Sequence, residues 1–190
     1  VNEIYRWMCC GEARDPMPAR LQTFDVPIEI SNVGHPELIL FEDVQTAFNR
    51  CLTDTDNTFR FESPCTHCQH NQWSKELRAT RFPEVLLMTL KRFKVVEVAP
   101  DQYEPRCIDH QVTPTDVLNF QGQRYNLRSV VVHLGPSIEA GHYVAVAQHR
   151  TNTGTWWIYD DSRRVEATPD QLATSTTYRH YAVSYTHLRA

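Results

Sequence analysis

The sequence predicts an α+β domain built mostly of antiparallel β-strands. Segments rich in Val, Tyr, Phe and Trp recur along the chain, separated by short loops, as in an antiparallel sheet. Only two segments have helical features, and no internal repeat or low-complexity tract is present. With 190 residues, 41% of them hydrophobic, the chain can bury a core without the cross-links that small domains need.

Each element is predicted from its own pattern. Residues 21–30 alternate in part between apolar and polar and indicate a strand. Apolar residues at spacings of three and four across 41–52 indicate an amphipathic helix. A second, two-turn helix is predicted to begin at Thr168, with Pro169 at its first position and Gln171 as a capping partner. The other predicted strands are Phe59 to Glu62, Trp73 to Phe82, Val85 to Phe93, Tyr125 to Leu134, His142 to His149, Trp156 to Tyr159 and Tyr181 to Tyr185.

Charge and hydropathy exclude two classes of partner. The chain has 19 basic and 23 acidic residues, a net charge of −4, and no run of Lys or Arg, so we expect no nucleic acid partner. No apolar stretch approaches the ~20 residues of a membrane-spanning helix, and we expect no membrane partner. Residues 1–12 contain neither a starting Met nor the apolar part of a signal peptide, so we expect the chain to begin within a longer protein.

The cysteines predict a structural zinc site. Cys65 and Cys68 have the two-residue spacing that turns both thiolates toward one ion. Cys9 and Cys10 could supply the other half of a four-cysteine zinc ribbon, although adjacent side chains tend to diverge. If only one of that pair binds, the remaining donor is one of His67, His70 and Cys51. The alternative is a set of thiols that bind no metal.

A histidine and a carboxylate form the second constellation. The segment Gly141-His142-Tyr143 is followed, eighteen residues after the histidine, by Asp160. If the two segments are neighbouring strands, Asp160 could orient the His142 imidazole and stabilise it when it takes a proton. Taken alone, such a pair is also compatible with a purely structural hydrogen bond.

Several blocks of sequence stand in an order that is specific as a set. They are Phe82 to Phe93 (FPEVLLMTLKRF), Tyr125 to Gly135, Gly141-His142-Tyr143, Trp157 to Ser162, and Tyr181 to Tyr185. In this order they resemble the catalytic domain of the ubiquitin-specific proteases, the papain-like deubiquitinases. Cys65 and Cys68 stand where the zinc-bearing fingers of that family end.

The resemblance implies a fold and a set of roles. The fold would be an incomplete papain-like cysteine peptidase: one partial domain over 1–190, with zinc-ribbon fingers in 1–82 and a β palm in 83–190. His142 matches the general base, Asp160 the residue that orients it, and Asp161 a second assisting carboxylate. Gly141 and Tyr143 would contact the substrate. Around this site, Trp157 and Tyr159 are expected in the core, and His133 is expected to be a structural histidine with satisfied hydrogen bonds.

The implied activity is thiol-dependent hydrolysis of the bond after the C-terminal glycine of ubiquitin. Ubiquitin or ubiquitinated proteins would be the partners, Zn²⁺ would be structural only, and the protein would be cytoplasmic or nuclear. The family's nucleophile follows Asn-Thr and precedes an aromatic residue, and this sequence has no such motif. Cys107, His142 and Asp160 stand in the papain order of nucleophile, histidine and acid, but the neighbours of Cys107 indicate an extended segment rather than a helix N-terminus. Cys10, which precedes a glycine, is no better supported.

We therefore expect the C-terminal part of a deubiquitinase domain, inactive by itself. Two alternatives remain open. One is a ubiquitin-binding module without catalysis, which the retained His142 and Asp160 argue against. The other is a zinc-ribbon interaction domain unrelated to ubiquitin, which would unfold on chelation and would not bind ubiquitin.

Overall fold

β-Strands form most of the structure, a computed structural model that describes residues 2–7, 10, 17–18, 23–31, 38–60, 65, 68–69, 72–135, 140–149, 154–167 and 179–187. Within these ranges there is one helix, α1 (Val44–Leu52). The strands are β1 (Asn2–Trp7), β2 (Met17–Pro18), β3 (Phe24–Pro27), β4 (Glu29–Ser31), β5 (Leu38–Leu40), β6 (Thr53–Arg60), β7 (Gln72–Arg78), β8 (Val85–Lys91), β9 (Phe93–Ala99), β10 (Gln102–Cys107), β11 (Val117–Phe120), β12 (Gln123–Leu134), β13 (His142–Gln148), β14 (Trp156–Asp160), β15 (Arg163–Ala167) and β16 (Arg179–His187). The predicted mostly β architecture with few helices is confirmed.

The largest sheet has the strand order β15-β14-β13-β12-β16-β8-β3, with β11 paired to β12. All of its pairs are antiparallel except β3 with β8, which is parallel. The central strand β12 is twelve residues long and pairs with β13 on one side and β16 on the other. This sheet carries the histidine and aspartate blocks of the sequence on adjacent strands.

A smaller sheet, ordered β2-β1-β7-β6, is formed entirely by residues before 83. Two ribbons of two strands, β4–β5 and β9–β10, complete the strand pairing of the described residues. Residues before 83 also enter the large sheet through β3, because Phe24 to Pro27 pairs with β8. The division into fingers over 1–82 and palm over 83–190 stays a prediction.

Helix α1 begins three residues later than its apolar pattern suggested. The Asp43 side chain accepts a hydrogen bond from the Thr46 amide at 2.8 Å, which is the N-cap arrangement and starts the helix at Val44. Phe41 lies before this cap and is buried. The predicted apolar face is otherwise confirmed, since Val44, Phe48 and Leu52 are buried.

Aromatic rings connect α1 to the large sheet. Phe24 of β3, Phe48 of α1 and Phe120 of β11 contact one another edge to face, with ring centroids 5.2 to 5.6 Å apart. Edge-to-face contacts add to the free energy of burying each ring. Phe48 and Phe120 have no exposed surface, so this cluster is the junction on which the helix is held.

We expect Phe48→Ala to be among the most destabilising core substitutions. It removes a fully buried ring and leaves a cavity next to Phe24 and Phe120, which costs about 3–5 kcal/mol of unfolding free energy. Urea denaturation followed by far-ultraviolet circular dichroism measures this loss. Tyr103→Ala is the matched control: that aromatic side chain is 61% exposed, so its removal should change the free energy by less than about 0.5 kcal/mol. Equal losses for both variants would contradict the assigned core.

Some strands were not predicted from sequence. β9, β10 and β15 expose most of their side chains, and neither β10 nor β15 has the apolar alternation that reveals a half-buried strand. The predicted strand from Val85 to Phe93 is divided at Arg92, whose buried guanidinium donates hydrogen bonds to the carbonyl oxygens of Ile108 and His110. The helix predicted at Thr168 lies outside the described residues.

Among the described residues, no helix combines the length and apolar character that a membrane crossing requires.

Candidate active site

The predicted histidine and aspartate meet at one end of the large sheet. β13 and β14 are adjacent and antiparallel, with Ala145 opposite Tyr159, so His142 and Asp160 are diagonal neighbours on one face. His142 Nε2 lies 2.5 Å from Asp160 Oδ1, within hydrogen-bond distance. The predicted pairing of these two residues is therefore present in the structure.

Strand alternation explains why the pair lies where it does. His142 is the first residue of β13 and shares a face with Val144 and Val146, which are buried. The imidazole therefore lies on the core-facing side of the sheet, just beyond the edge of the core. The side chains of His142 and Asp160 are 43% and 46% exposed, so the site is anchored at its base and open to another molecule.

The surroundings of His142 favour its protonated form. The hydrogen bond that His142 donates to Asp160 raises the pKa of the imidazole above its usual 6.5, and attraction to the Asp160 and Asp161 carboxylates raises it further. Partial burial opposes this shift in the pKa but is outweighed. Asp161 lies in the turn between β14 and β15 with a φ of 50°, and its carboxylate falls within the same cluster of donor atoms.

Asp160→Asn tests this electrostatic coupling. We expect the pKa of His142 to fall toward 6.5, because the amide carries no charge and makes a weaker hydrogen bond to the imidazolium. Titration of the His142 ring by NMR measures the change. A raised folded-state pKa also means that the pair stabilises the fold below pH 6.5 and that this stabilisation disappears as the pH rises through the folded pKa.

Glu166→Gln is the control for that titration. It removes one negative charge from the exposed strand β15, and Glu166 is not among the groups that raise the pKa of His142. An unchanged pKa in Asp160→Asn, or an equal fall in both variants, would contradict the assignment of Asp160 as the partner.

The residues on either side of His142 contact a second histidine. The Tyr143 ring, 48% exposed, lies 4.8 Å from the His133 ring, centroid to centroid. Gly141 lies against the same imidazole, because a Cβ at this position would come within 2.6 Å of His133 Cε1. Gly135, at the other side of the connection between β12 and β13, lies against Gly141, since a Cβ added at Gly135 would come within 2.6 Å of Gly141 Cα. Contact of Gly141 and Tyr143 with a substrate stays a prediction.

His133 and Tyr159 differ from their expected environments. His133 is buried, as expected of a structural histidine, but its Nδ1 has no hydrogen-bond partner, so the expectation of satisfied hydrogen bonds is wrong. Tyr159 is 40% exposed rather than part of the core, because it lies on the face of β14 opposite Ile158. Trp157 is half-buried, and the Arg164 guanidinium lies 4.1 Å above its ring.

Three of the predicted zinc ligands are clustered. The Sγ atoms of Cys10 and Cys65 are 3.7 Å apart, and those of Cys10, Cys65 and Cys68 all lie within 4.8 Å of one another. Two thiolates bound to one tetrahedral Zn²⁺ at about 2.3 Å lie about 3.8 Å apart, so the first pair fits the ion. Cys68 is disulfide-bonded in this structure, and one sulfur cannot hold a disulfide and a zinc ion together, so metal binding would require the reduced form.

Of the other suggested ligands, Cys9, His67 and His70 lie outside the described residues. Cys51 lies in α1, where its thiol is 3.6 Å from the Asp25 carbonyl oxygen, and it does not belong to the cysteine cluster. Cys107 ends β10 in an extended conformation, as predicted, and the His142 cluster contains no cysteine of the described residues.

Comparison with known proteins shows the family to which this chain belongs. The family model described as "Ubiquitin carboxyl-terminal hydrolase" matches residues 37–183. The chain therefore belongs to the ubiquitin carboxyl-terminal hydrolase family, which includes the ubiquitin-specific proteases that it resembles.

Curated relatives agree with this family. Ubiquitin carboxyl-terminal hydrolase 15 of Rattus norvegicus is 31% identical over 121 residues, covering 60% of this chain and 12% of the relative. Ubiquitin carboxyl-terminal hydrolase 2 of Homo sapiens is 26% identical over 176 residues, covering 89% of this chain and 27% of the relative. The chain thus spans between an eighth and about a quarter of the length of these relatives.

Solved structures share the fold. A SAGA deubiquitinase module with a Ubp8 variant, Sgf11, Sus1 and Sgf73, bound to monoubiquitin, superimposes with a TM-score of 0.75 at 18% identity and covers all of this chain and 40% of that one. The Ubp8 module bound to ubiquitin aldehyde gives 0.69 at 18% identity, with coverages of 100% and 41%. The similarity extends over the whole chain.

Proposed function

We propose that this chain provides the general base and its orienting acid for a thiol-dependent hydrolase that cleaves the bond after the C-terminal glycine of ubiquitin. The observation that carries the proposal is the contact between His142 Nε2 and Asp160 Oδ1. An imidazole anchored by a carboxylate at the open end of a core is suited to moving protons during acyl transfer. Membership of the ubiquitin carboxyl-terminal hydrolase family supports the choice of substrate.

The direction of the hydrogen bond assigns the chemistry to one ring nitrogen. Asp160 accepts a proton from Nε2, so neutral His142 carries its lone pair on Nδ1. In the proposed reaction Nδ1 takes the proton of a cysteine thiol, and the thiolate attacks the carbonyl carbon of the last glycine. Asp160 stabilises the imidazolium formed in this step, and Asp161 adds negative charge nearby.

The same imidazole completes both halves of the cycle. The protonated Nδ1 gives its proton to the leaving amine as the carbon–nitrogen bond breaks, which leaves a thioester on the enzyme. His142 then takes a proton from water, the resulting hydroxide attacks the thioester, and the thiol leaves with that proton. The products are the ubiquitin carboxylate and a free amine, and the reaction consumes one water molecule.

We propose that the nucleophilic cysteine lies in a part of the protein other than the described residues. The cluster of His142, Asp160 and Asp161 has no cysteine among these residues, which supports this. The small share of the curated relatives that the chain spans is compatible with further segments contributing to the site. The 190-residue chain alone is then expected to be inactive.

Hydrolysis of ubiquitin carrying a C-terminal fluorophore, by the full-length protein, tests the function. We expect release of the fluorophore and a covalent adduct with a ubiquitin that ends in a thiol-reactive electrophile. A full-length protein that binds ubiquitin without either reaction would support a non-catalytic binding module and contradict the proposal. The neighbours bound to monoubiquitin and to ubiquitin aldehyde support ubiquitin as the partner.

We also propose a structural Zn²⁺ held by the thiolates of Cys10, Cys65 and Cys68, with a fourth ligand from Cys9 or another donor. The separation of the Cys10 and Cys65 sulfurs supports it, and Cys65 is fully buried, as a structural ligand commonly is. Such an ion would join the turns next to β1 and β7 and would take no part in the reaction. Zinc–thiolate bonding needs reduced cysteines, which suits a cytoplasmic or nuclear protein.

A further inference from the structure

The buried imidazole of His133 is not used by the proposed reaction. It lies on β12 directly opposite Tyr143 of β13, and only 3% of its surface is exposed. Its ring contacts Tyr143 at 4.8 Å and Phe93 at 5.9 Å between centroids. Since Nδ1 is buried with no hydrogen-bond partner, the ring is packed between these neighbours as an apolar ring would be.

This imidazole also lies against the residue before the base. A Cβ added to Gly141 would overlap His133 Nε2 and come within 2.6 Å of its Cε1. Real Cβ atoms do not approach other atoms so closely, so the imidazole occupies the space that a side chain at 141 would need. Gly141 and Tyr143, the residues on either side of His142, therefore both contact the buried ring of His133.

We propose that His133 is a positioning residue for the base, an inference that rests on the proposed function. Its ring determines how closely the backbone at Gly141 and Tyr143 approaches β12. The position of that backbone sets the direction in which the His142 imidazole leaves β13 toward Asp160. His133 itself moves no proton, because both its burial and the ring packing keep it away from the reacting atoms.

The position in the hairpin makes this support necessary. His142 is opposite Leu134 at the last pair of the β12–β13 ladder, and the chain leaves the sheet immediately before it. A residue at the end of a ladder is followed by paired residues but preceded by none. Packing on His133 restrains the backbone where those pairs are absent. A catalytic site needs this restraint because its geometry must be accurate.

A double-mutant cycle in the full-length protein tests the contact. We expect Gly141→Ala to lower kcat for ubiquitin–fluorophore hydrolysis about 100-fold, because the new Cβ displaces the backbone beside the base. His133→Ala should lower kcat about tenfold, since the support is lost without a collision. The double variant should be about threefold more active than Gly141→Ala alone but less active than His133→Ala, because the ring that collides with the new Cβ is gone while a second close contact of that Cβ remains.

The rescue should be incomplete, because the new Cβ would still lie 2.9 Å from the Leu134 carbonyl oxygen. Additive losses in the double variant would overturn the proposal. So would a rise in KM with unchanged kcat in His133→Ala, which would mean that the ring contacts substrate instead. His110→Ala is the matched control: its Nε2 is also buried without a hydrogen-bond partner, its ring is not among the ring contacts of His133, and kcat should change less than twofold.

Two measurements separate this inference from the function on which it rests. Thermal unfolding shows whether each variant is folded; if His133→Ala is not, His133→Asn replaces it, and a loss of kcat of about tenfold or less relative to the wild type is expected. NMR titration of His142 does not depend on activity: we expect His133→Ala to lower its pKa toward 6.5 as the imidazole moves from Asp160. If the wild-type protein is inactive but this pKa still falls, the proposed function fails and the positioning role stands. An unchanged pKa overturns the positioning role.

Discussion

Replacing His142 with alanine in the full-length protein is expected to lower kcat for ubiquitin–fluorophore hydrolysis about 1,000-fold. General acid–base catalysis by a positioned side chain contributes factors of this size, and in the proposed mechanism the same ring acts in both half-reactions. A 1,000-fold loss corresponds to about 4 kcal/mol of transition-state stabilisation. Steady-state kinetics with the fluorogenic substrate measures it, and KM should change little because the ring does not contribute to binding the body of ubiquitin.

The control for this substitution is His149→Ala. His149 follows β13, the strand that His142 begins, so both variants change one histidine beside the same strand. Hydrolysis by His149→Ala should stay within about twofold of the wild-type rate. Thermal unfolding should be nearly unchanged in His142→Ala, because the imidazole is 43% exposed and surface pairs contribute little to stability. Full activity in His142→Ala would show that another group is the base.

Removal of zinc is the second large effect that we expect. The reduced full-length protein should contain about one zinc ion in this domain, and chelation should destabilise the sheet of β2, β1, β7 and β6 by several kcal/mol, because binding free energy at a structural zinc site is folding free energy. Hydrogen exchange locates the effect: amides of β1 and β7 should lose protection, while those of β12 should keep it. Of the buried residues described in the core that packs on the large sheet, only Leu77 belongs to the smaller sheet, so the large sheet should depend little on the ion.

Cys65→Ser should abolish zinc binding and reproduce the loss of protection without any chelator. Cys107→Ser is the matched control, since Cys107 ends β10 and lies outside the cysteine cluster, and its zinc content should equal that of the wild type. Metal analysis under reducing conditions measures the zinc content of both variants. Retention of zinc by Cys65→Ser, or a reduced wild-type protein without zinc, would contradict the site.

Local patterns were sufficient for much of the fold. The helix was recognisable because Val44, Phe48 and Leu52 recur on one face, and burial of that face is what holds a short helix. The β12 to β14 strands were recognisable because their buried positions carry branched and aromatic residues. β10 and β15 were missed because their exposed side chains leave no periodic signal, whereas β9 was missed although Val95, Val96 and Val98 favour a strand.

Parts of the candidate site could also be predicted from sequence. His142 and Asp160 could be selected from sequence because residue types with acid–base chemistry stood in an ordered set of motifs. Their adjacency needed only a hairpin between neighbouring strands, which a short loop favours. Cys65 and Cys68 were predicted as a pair from their spacing, with Cys9 and Cys10 as possible partners. The structure brings the sulfur of Cys10 to this pair, although 55 residues separate Cys10 from Cys65.

The sequence by itself determined the order of the motifs, the family and the choice of His142 and Asp160 as candidate residues. Only the tertiary structure decided which side chain packs against the backbone on either side of His142. Nothing local links His133 to Gly141 or predicts that its imidazole is buried with Nδ1 unpartnered, because that contact depends on the register of β12 against β13 and on the position of Phe93 from another strand. Close contacts between residues distant in sequence arise from the packing of whole elements, which no single segment encodes.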